Sequence, residues 1–289
     1  MKIKLCIILF FGVNLVWAGA FDDRFPSVRA TGMSNAYTAV ADDEWAAYYN
    51  PAGYARTDQI GVAFSYQKPF GLSFFNNYFL GATAPLPEKY GVVGLCLETF
   101  GVEYDGNTMS SEYTAIVSHG FFLLNDIHGS LSIGYNLKYY HWELGESVDG
   151  MELGSGGAFG MDLGLLANIY QRTYIGLFAY NLNNPAVGAV TLRDLPRRIS
   201  VGLAYRPLTE LITSINLNKT DTYDMQMDCG IEYRLMSFLS IRLGAGTKPN
   251  RISAGFGVNY RGIYIDYGFR NHPVLPVTHQ FSLSYRFGD

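Results

Sequence analysis

Hydrophobic and polar residues alternate with a period of two along almost all of the chain after Asp58. In "RRISVGLAYR", Ile199, Val201, Leu203 and Tyr205 alternate with small or polar residues, and "SIRLGAG", "ISAGFGVNY", "GIYIDYGFR" and "QFSLSYRF" repeat the pattern. Such alternation is typical of strands with one apolar face, and no stretch after Asp58 has a convincing helical period of 3.6 residues. The pattern predicts an all-β fold of about 14 short strands.

The predicted connections alternate in length. Long polar segments occupy residues 101–112, 144–157, 181–196, 218–224 and 270–277, whereas tight turns occupy residues 168–173, 205–210, 233–238 and 259–263. An aromatic residue lies near the end of alternate strands, at Tyr170, Tyr205, Tyr233, Tyr260 and Phe287. Outer-membrane barrels have short turns on one side, longer loops on the other and aromatic girdles at both interfaces. These features predict a transmembrane antiparallel β-barrel surrounded by outer-membrane lipid, although aromatic residues also favour ordinary strands.

The face of the strands opposite to the apolar one is expected to line the lumen. Its polar residues include Asp162, Asp228, Glu232, Arg242, Asp266 and Arg286, together with Gln280, Ser282 and Ser284. Glycine occupies many of the other inward positions: Gly244, Gly246, Gly255, Gly257 and Gly268. A lumen lined by glycine stays empty unless another part of the chain fills it.

Residues 21–57 are the candidate for that role. They contain three acids that run into aromatic residues and a turn: Asp42, Asp43, Glu44, Trp45, Tyr48, Tyr49, Asn50, Pro51 and Gly53. The rings need burial, and we expect the acids to pair with Arg242 or Arg286 inside the barrel. We therefore predict a hatch at 21–57 in the lumen of a barrel at 58–289. A tail under the barrel mouth is the alternative.

Residues 1–20 have the pattern of an export signal. Lys2 and Lys4 precede an apolar run that is too short to span a membrane as a helix, and small residues follow it. Cleavage is expected after Ala20 or, as a second choice, after Ala18.

Charge and composition argue against several functions. Without Lys2 and Lys4 the chain carries 19 basic and 25 acidic residues, which disfavours nucleic acid as a partner. The histidines and cysteines lack metal-ligand spacing, and we expect Cys96 and Cys229 to stay unpaired. "GSGGAFGMDLG" lacks the third glycine of a phosphate loop, and no G-x-S-x-G motif occurs. We expect no catalytic residues, no metal and no cofactor, and therefore no enzyme.

One stretch carries a family resemblance. "VRATGMSNAYTAVADDEWAAYYNPAGYA", residues 28–55, resembles the N-terminal signature of the PorV/PorQ outer-membrane proteins, which is itself similar to the hatch of FadL-type channels. "GMDLGLL", "LPRRISVGLAYRP" and "HQFSLSYRF" are also similar to segments of that family. The resemblance implies a 14-strand barrel with a hatch and a role in type IX secretion, with secretion-system components or exported cargo as partners. The barrel-assembly machinery would recognise a terminal signal comprising Phe281, Leu283, Tyr285 and Phe287.

Three functions follow from these observations. A non-enzymatic component or carrier of protein secretion ranks first. A FadL-like channel for hydrophobic small molecules such as fatty acids is the alternative, and it requires an apolar path through or beside the hatch. An enzyme at the barrel rim is third.

Overall fold

The structure, a computed structural model, describes residues 21, 24–87, 90–146, 150–188, 191–221 and 224–288. The predicted export signal at residues 1–20 lies outside the described residues. No helix within the described ranges has the length and apolar character needed to cross a membrane.

Fourteen antiparallel strands form one closed barrel, which confirms the predicted fold class and strand number. The first strand pairs with the last, from Ile60 opposite Phe287 to Lys68 opposite His279. The barrel strands are β1 Ile60–Lys68, β2 Phe75–Pro85, β3 Val92–Tyr104, β4 Asn107–Asn125, β5 Gly129–Leu144, β6 Ser155–Ile169, β7 Thr173–Tyr180, β10 Arg198–Leu208, β11 Leu211–Thr220, β12 Gln226–Met236, β13 Leu239–Gly246, β14 Arg251–Tyr260, β15 Ile263–Arg270 and β16 Thr278–Phe287. Between β7 and β10, two short strands form a separate two-stranded ribbon, β8 Ala186–Val187 and β9 Arg193–Asp194.

The connections lie at two mouths. Those after β1, β3, β5, β7, β11, β13 and β15 lie at one end, here called the long-loop mouth. Those after the other barrel strands lie at the opposite end, the short-turn mouth, where the chain enters β1 and leaves β16. The predicted tight turns are found there, at residues 170–172, 209–210, 237–238 and 261–262.

The prediction of a long loop at residues 101–112 is wrong. Strand β3 continues to Tyr104 and β4 begins at Asn107, so that only Asp105 and Gly106 form the turn. Both residues have positive φ, 50° and 78°. Asp-Gly is a preferred sequence for two-residue hairpins because these turns require positive φ.

The two faces of the wall follow the predicted alternation. On β10, Val201 and Leu203 point outward and are 41% and 50% exposed, whereas Ser200 and Ala204 point inward and are buried. The five aromatic residues predicted at the short-turn mouth are all exposed. A second exposed aromatic set, which the sequence pattern did not predict, lies toward the long-loop mouth and comprises Tyr78, Tyr113, Tyr139, Phe159 and Phe281.

The structure places residues 24–57, here called the hatch, inside the barrel. The hatch contains helix α1 Val28–Gly32, helix α2 Ala46–Tyr49 and a 3-10 helix, Pro51–Arg56. Helix α1 packs against β13 to β16, and the 3-10 helix packs on the opposite wall against β3 to β6. Most hatch residues are buried. A further 3-10 turn, Pro69–Gly71, follows β1.

Substitution of Val201 by arginine tests whether the outward face meets lipid. Val201 lies near the middle of β10, and Leu208, which is 58% exposed, lies at its short-turn end. We expect Val201→Arg to lower the free energy of unfolding in a phospholipid bilayer by about 2–4 kcal/mol, and Leu208→Arg to lower it by about 0–1 kcal/mol. Denaturant titration of the barrel in vesicles measures both. Equal costs at the two positions would contradict a membrane-spanning wall.

Candidate functional site

The hatch is the candidate functional site because it fills the lumen and brings buried aromatic and ionisable side chains together there. Its turns are determined locally. The Ser27 hydroxyl accepts a hydrogen bond from the Ala30 amide at 3.1 Å and caps α1. The Asn50 side chain accepts one from the Ala52 amide at 3.2 Å, and Pro51 begins the 3-10 helix, where its missing N–H costs nothing.

The hatch aromatics are buried and pack in two groups. Trp45 and Tyr48 lie edge-on to Phe79 of β2, with ring centroids 6.4 and 5.8 Å apart from it. Tyr49 lies edge-on to Tyr37 at 5.1 Å and stacks on Phe25 at 5.6 Å. Because each buried ring removes roughly 150–250 Å² from water, these contacts hold the hatch against the wall and within itself.

The three consecutive acids have three different partners. Glu44 accepts a hydrogen bond from Arg286 Nε at 2.7 Å, as the sequence predicts. Asp42 pairs with Arg29 at 2.6 Å and with Arg56 at 3.3 Å, both within the hatch. Asp43 has no arginine as a hydrogen-bond partner among the described residues; it accepts from the Tyr37 hydroxyl at 2.6 Å and from the Trp45 amide at 3.1 Å.

These environments separate the pKa values of two neighbouring carboxyl groups. Burial raises the pKa of Asp43 to about 6, although Arg29 opposes the shift. Burial also acts to raise the pKa of Asp42, but Arg29 and Arg56 outweigh it and hold that pKa below its usual value. Asp42 is therefore ionised at any physiological pH, whereas Asp43 takes up a proton slightly below neutrality.

Of the two arginines named as partners for the hatch acids, Arg286 pairs with one and Arg242 forms no ion pair with any of them among the described residues. Arg242 contacts two wall carboxylates instead, Glu232 at 2.6 Å and Asp266 at 2.5 Å. The hatch reaches this network through Arg29, which binds both oxygens of Glu232 at 2.8 Å. Arg242 pairs with the wall because it lies directly opposite Glu232 in the β12–β13 register, where cross-strand side chains are close neighbours.

Two further predicted lumen acids, Asp162 and Asp228, are also paired within the wall. Asp162 lies 2.6 Å from Lys138 Nζ, with both side chains fully buried, and Asp228 lies 2.5 Å from Arg251. Arg24, which the sequence analysis did not single out, bridges Glu98 at 3.0 Å and Glu112. Glu98, Glu112 and Lys138 could have been identified from the sequence, because the alternation with a period of two along β3, β4 and β5 places all three on the inward face.

Glycines allow the hatch to contact the backbone of the wall. A Cβ atom added at Gly134 would overlap Pro51 and Ala52, and one added at Gly244 would overlap Met33 and Ser34. Gly53 plays the same part inside the hatch, where an added Cβ would overlap the carbonyl of Ala41. The wall and the hatch therefore fit only because side chains are missing where their backbones meet.

One space lies beside the hatch and another lies on the outer side of the wall. A cavity of about 20 Å³ lies between its N-terminal end and the wall, lined by residues that include Arg24, Tyr48 and Arg198. That volume holds about one water molecule. A groove of about 540 Å³ lies on the outward face of β10 to β13, with a largely apolar lining that includes Leu203, Ile215 and Cys229. Met33 of the hatch lies behind this groove, in contact with the wall glycines Gly230 and Gly244.

The cysteines, the metal-ligating residue types and the terminal residues can also be compared with the sequence predictions. Cys96 and Cys229 are both free, as expected, and Cys96 is buried. No group of three metal-ligating side chains occurs in the part of the chain that the structure describes. The terminal residues Phe281, Leu283, Tyr285 and Phe287 all point outward and are exposed, and their role as an assembly signal stays a prediction.

Removal of one member of the Glu44–Arg286 pair should cost more than removal of both. The side chains are 2% and 24% exposed, so that a lone remaining charge is largely desolvated. We expect Glu44→Gln and Arg286→Gln each to lower the free energy of unfolding by about 1–3 kcal/mol, and the double variant to lower it by less than either single variant. Arg197→Gln, at the exposed Arg197–Asp221 pair, is the control and should change it by about 0–1 kcal/mol. Additive losses would show that the pair does not couple the hatch to β16.

A methyl group at Gly134 should displace the hatch. We introduce Ala46→Cys as a reporter, in a chain without Cys96 and Cys229, because Ala46 is fully buried. Labelling by a bulky thiol reagent is expected to be slow in the folded barrel and to accelerate when Gly134→Ala is added. Gly101→Ala is the matched control, since an added Cβ there meets nothing within 4 Å. Rapid labelling without either glycine substitution would exclude a seated hatch.

Comparison with known proteins supports the fold. No protein-family model and no curated protein sequence matches the chain. A FadL homologue from Pseudomonas aeruginosa is similar with a TM-score of 0.58 and 12% identity, over 92% of this chain and 99% of that one. The toluene transporter TodX from Pseudomonas putida is similar with a TM-score of 0.63 and 12% identity, over 92% and 98%. The chain therefore has the fold of the FadL-type outer-membrane barrels.

Proposed function

We propose that this protein is an outer-membrane channel for hydrophobic small molecules. The observation that carries the proposal is a 14-strand barrel with an N-terminal hatch folded in its lumen. The similarity of this fold to a toluene transporter and to a FadL homologue covers nearly the whole length of both proteins. The absence of recognisable catalytic chemistry in the sequence agrees with transport rather than with catalysis. The apolar, outward-facing wall agrees with an outer-membrane location.

The hatch determines how such a channel would work. With the hatch in place, the cavity at its N-terminal end holds about 20 Å³, which is too small for an organic solute. Passage therefore requires the hatch to shift. The ion pairs to the wall, Arg24–Glu98, Arg29–Glu232 and Glu44–Arg286, are among the polar contacts that resist such a shift. Their side chains are between 2% and 24% exposed, so that breaking these pairs without new partners has a substantial cost in free energy.

The groove on β10 to β13 suits an apolar solute. Its volume of about 540 Å³ is within the range of small-molecule sites, and its lining is mostly apolar. Only the wall separates it from Met33, and that wall has no side chains at Gly230 and Gly244. A solute in this groove would lie in the hydrocarbon region of the membrane, and the hydrogen-bonded wall of β10 to β13 would still separate it from the hatch.

A secretion role is the second candidate. It is supported by the resemblance of residues 28–55 to the PorV/PorQ signature, a stretch that lies entirely within the hatch. The similar solved structures include transporters and favour the channel.

Uptake of toluene tests the channel. In a Gram-negative host that expresses the chain, we expect labelled toluene to enter several times faster than in cells that carry an empty vector, while a sugar of similar size enters at an unchanged rate. The Glu44→Gln/Arg286→Gln double variant should raise toluene entry further because it loosens the hatch. Unchanged toluene entry in all strains, with correctly folded protein in the outer membrane, would contradict the proposal. Stable co-purification with an exported protein would then favour the secretion role.

A further inference from the structure

Two buried carboxylates meet at the N-terminal end of the hatch. Glu98 of β3 and Glu112 of β4 are 8% and 6% exposed. Arg24 lies between them, with its Nε 3.0 Å from Glu98 and a terminal nitrogen in contact with Glu112. Among the described residues, the two acids thus share one guanidinium in their ion pairs. Because each buried charge needs a partner, this place favours a second cation.

Glu112 also contacts the main chain just before the hatch. The nitrogen of Phe21 donates a hydrogen bond at 2.9 Å to Oε2 of Glu112, the oxygen that also contacts Arg24. By contrast, Glu98 accepts a hydrogen bond from the side chain of Asn77 at 3.3 Å. The nitrogen of Phe21 is therefore the group through which Glu112 can gain a second positive partner.

The side chain of Phe21 is also held in place. Phe21 is 4% exposed, and its ring lies edge-on to Tyr140 with the centroids 5.0 Å apart. It belongs to an apolar cluster with Tyr140, Ala158, Val187 and Leu195, which come from β5, β6 and the region of the β8–β9 ribbon. Packing of this ring therefore fixes the distance between the Phe21 nitrogen and Glu112.

The backbone of Phe21 has a conformation that an internal residue rarely adopts. Its φ is 56°, in the left-handed region that is crowded for residues other than glycine. The angle φ places the preceding carbonyl group relative to the rest of the residue, so that a first residue, which has no preceding carbonyl, is free of this crowding. Cleavage immediately before Phe21 would remove the strain, whereas cleavage two residues earlier would retain it.

We propose that the mature chain begins at Phe21 and that its α-ammonium group binds Glu112 as the second cation of this site. Hydrolysis of the Ala20–Phe21 bond adds the oxygen of water to the Ala20 carbonyl carbon and breaks the bond from that carbon to nitrogen. The export signal leaves with a carboxylate, and the amine of Phe21 is largely protonated at neutral pH. Hydrogen bonds between charged groups are about twice as strong as those between neutral groups.

Removal of the export signal thereby acquires a structural consequence. In the precursor the nitrogen of Phe21 is an uncharged amide, so that Glu112 lacks its second cation and Phe21 keeps its strained φ. After cleavage the same nitrogen is a charged donor, and the N-terminal end of the hatch is bound to β4. This site exists whether or not the barrel conducts a solute.

The mass of the mature protein identifies its first residue. The full gene is expressed in a Gram-negative host, and the barrel is purified from the outer membrane in a non-ionic detergent. We expect the intact mass to equal that of residues 21–289. A chain that begins at Gly19 would overturn the site, because its ammonium group would lie two residues before the nitrogen that contacts Glu112.

The reactivity of the α-amine tests the contact itself. A pyridinecarboxaldehyde reagent, which is selective for α-amines, is added at neutral pH to the folded barrel and to the unfolded chain. We expect labelling of the folded barrel to be at least about tenfold slower, because a hydrogen bond to a charged group contributes about that factor. Equal rates in the two states would overturn the site.

Variants separate the charge of Glu112 from the burial of Phe21. Glu112→Gln should accelerate labelling of the folded barrel about tenfold. Glu98→Gln removes the other partner of Arg24 but leaves the contact with Phe21, and it should accelerate labelling less. Glu143→Gln is the control, since Glu143 lies near the same mouth, is exposed and pairs with His141. Labelling of folded Glu112→Gln at the wild-type rate would overturn the role of Glu112; heat-modifiable gel mobility checks folding.

A second comparison needs no substitution in the wall. Chains 19–289 and 21–289 are prepared by removal of a tag with a site-specific protease and are refolded in the same detergent. In the longer chain Phe21 keeps its N–H group, but the positive charge lies two residues earlier. We expect the chain that begins at Phe21 to unfold at a higher denaturant concentration than the longer chain. Equal midpoints for the two chains would overturn a site that depends on the charge of the Phe21 nitrogen.

Discussion

A closed barrel of 14 strands with glycine at many inward positions encloses a space that its own wall does not fill, and the rest of this structure depends on how that space is filled. The hatch packs backbone against backbone at Gly134 and Gly244, where no wall side chain intervenes. Such contacts are tight, and they leave little freedom for the hatch to settle in another position. The absence of wall side chains thus determines both the shape of the hatch and its location.

Charge in the lumen obeys a second constraint. In a space that is mostly closed to water, each ionised group needs a partner, and the network Arg29–Glu232–Arg242–Asp266 satisfies four groups at once. Because one member belongs to the hatch and three belong to the wall, the network joins the two parts of the molecule. Arg24 makes a similar connection at the N-terminal end of the hatch, through Glu98 and Glu112. The hatch is therefore held to the wall by ion pairs at Arg24, Arg29 and Glu44 and by aromatic packing at Trp45 and Tyr48.

The sequence alone predicts the wall well and the interior poorly. Alternation along each strand decides which side chains face inward, so that the strand number and the positions of Asp162 and Glu232 follow from the period of two. The loop predicted at residues 101–112 is wrong because the polar residues there belong to β3 and β4, and Asp105-Gly106 is itself a hairpin signal. The partners of Asp42, Asp43 and Glu44 depend on the position of the hatch in three dimensions, which no local pattern encodes. For that reason Arg286 was identified among the candidates, whereas Arg29 and Arg56 were not.

The contacts between the hatch and β16 have a consequence for the order of assembly. Gln280 donates hydrogen bonds to the carbonyls of Phe25 and Pro26, at 2.9 and 2.7 Å, and Arg286 binds Glu44. These contacts join residues more than 240 positions apart in the chain, and β16 is also the strand that seals the barrel against β1. The hatch can therefore reach its final position only when the last strand has been synthesised and the seam has closed. A hatch in its final position therefore indicates that the barrel is complete. A chain that ended before β16 would lack both the pairing that closes the barrel and these contacts to the hatch.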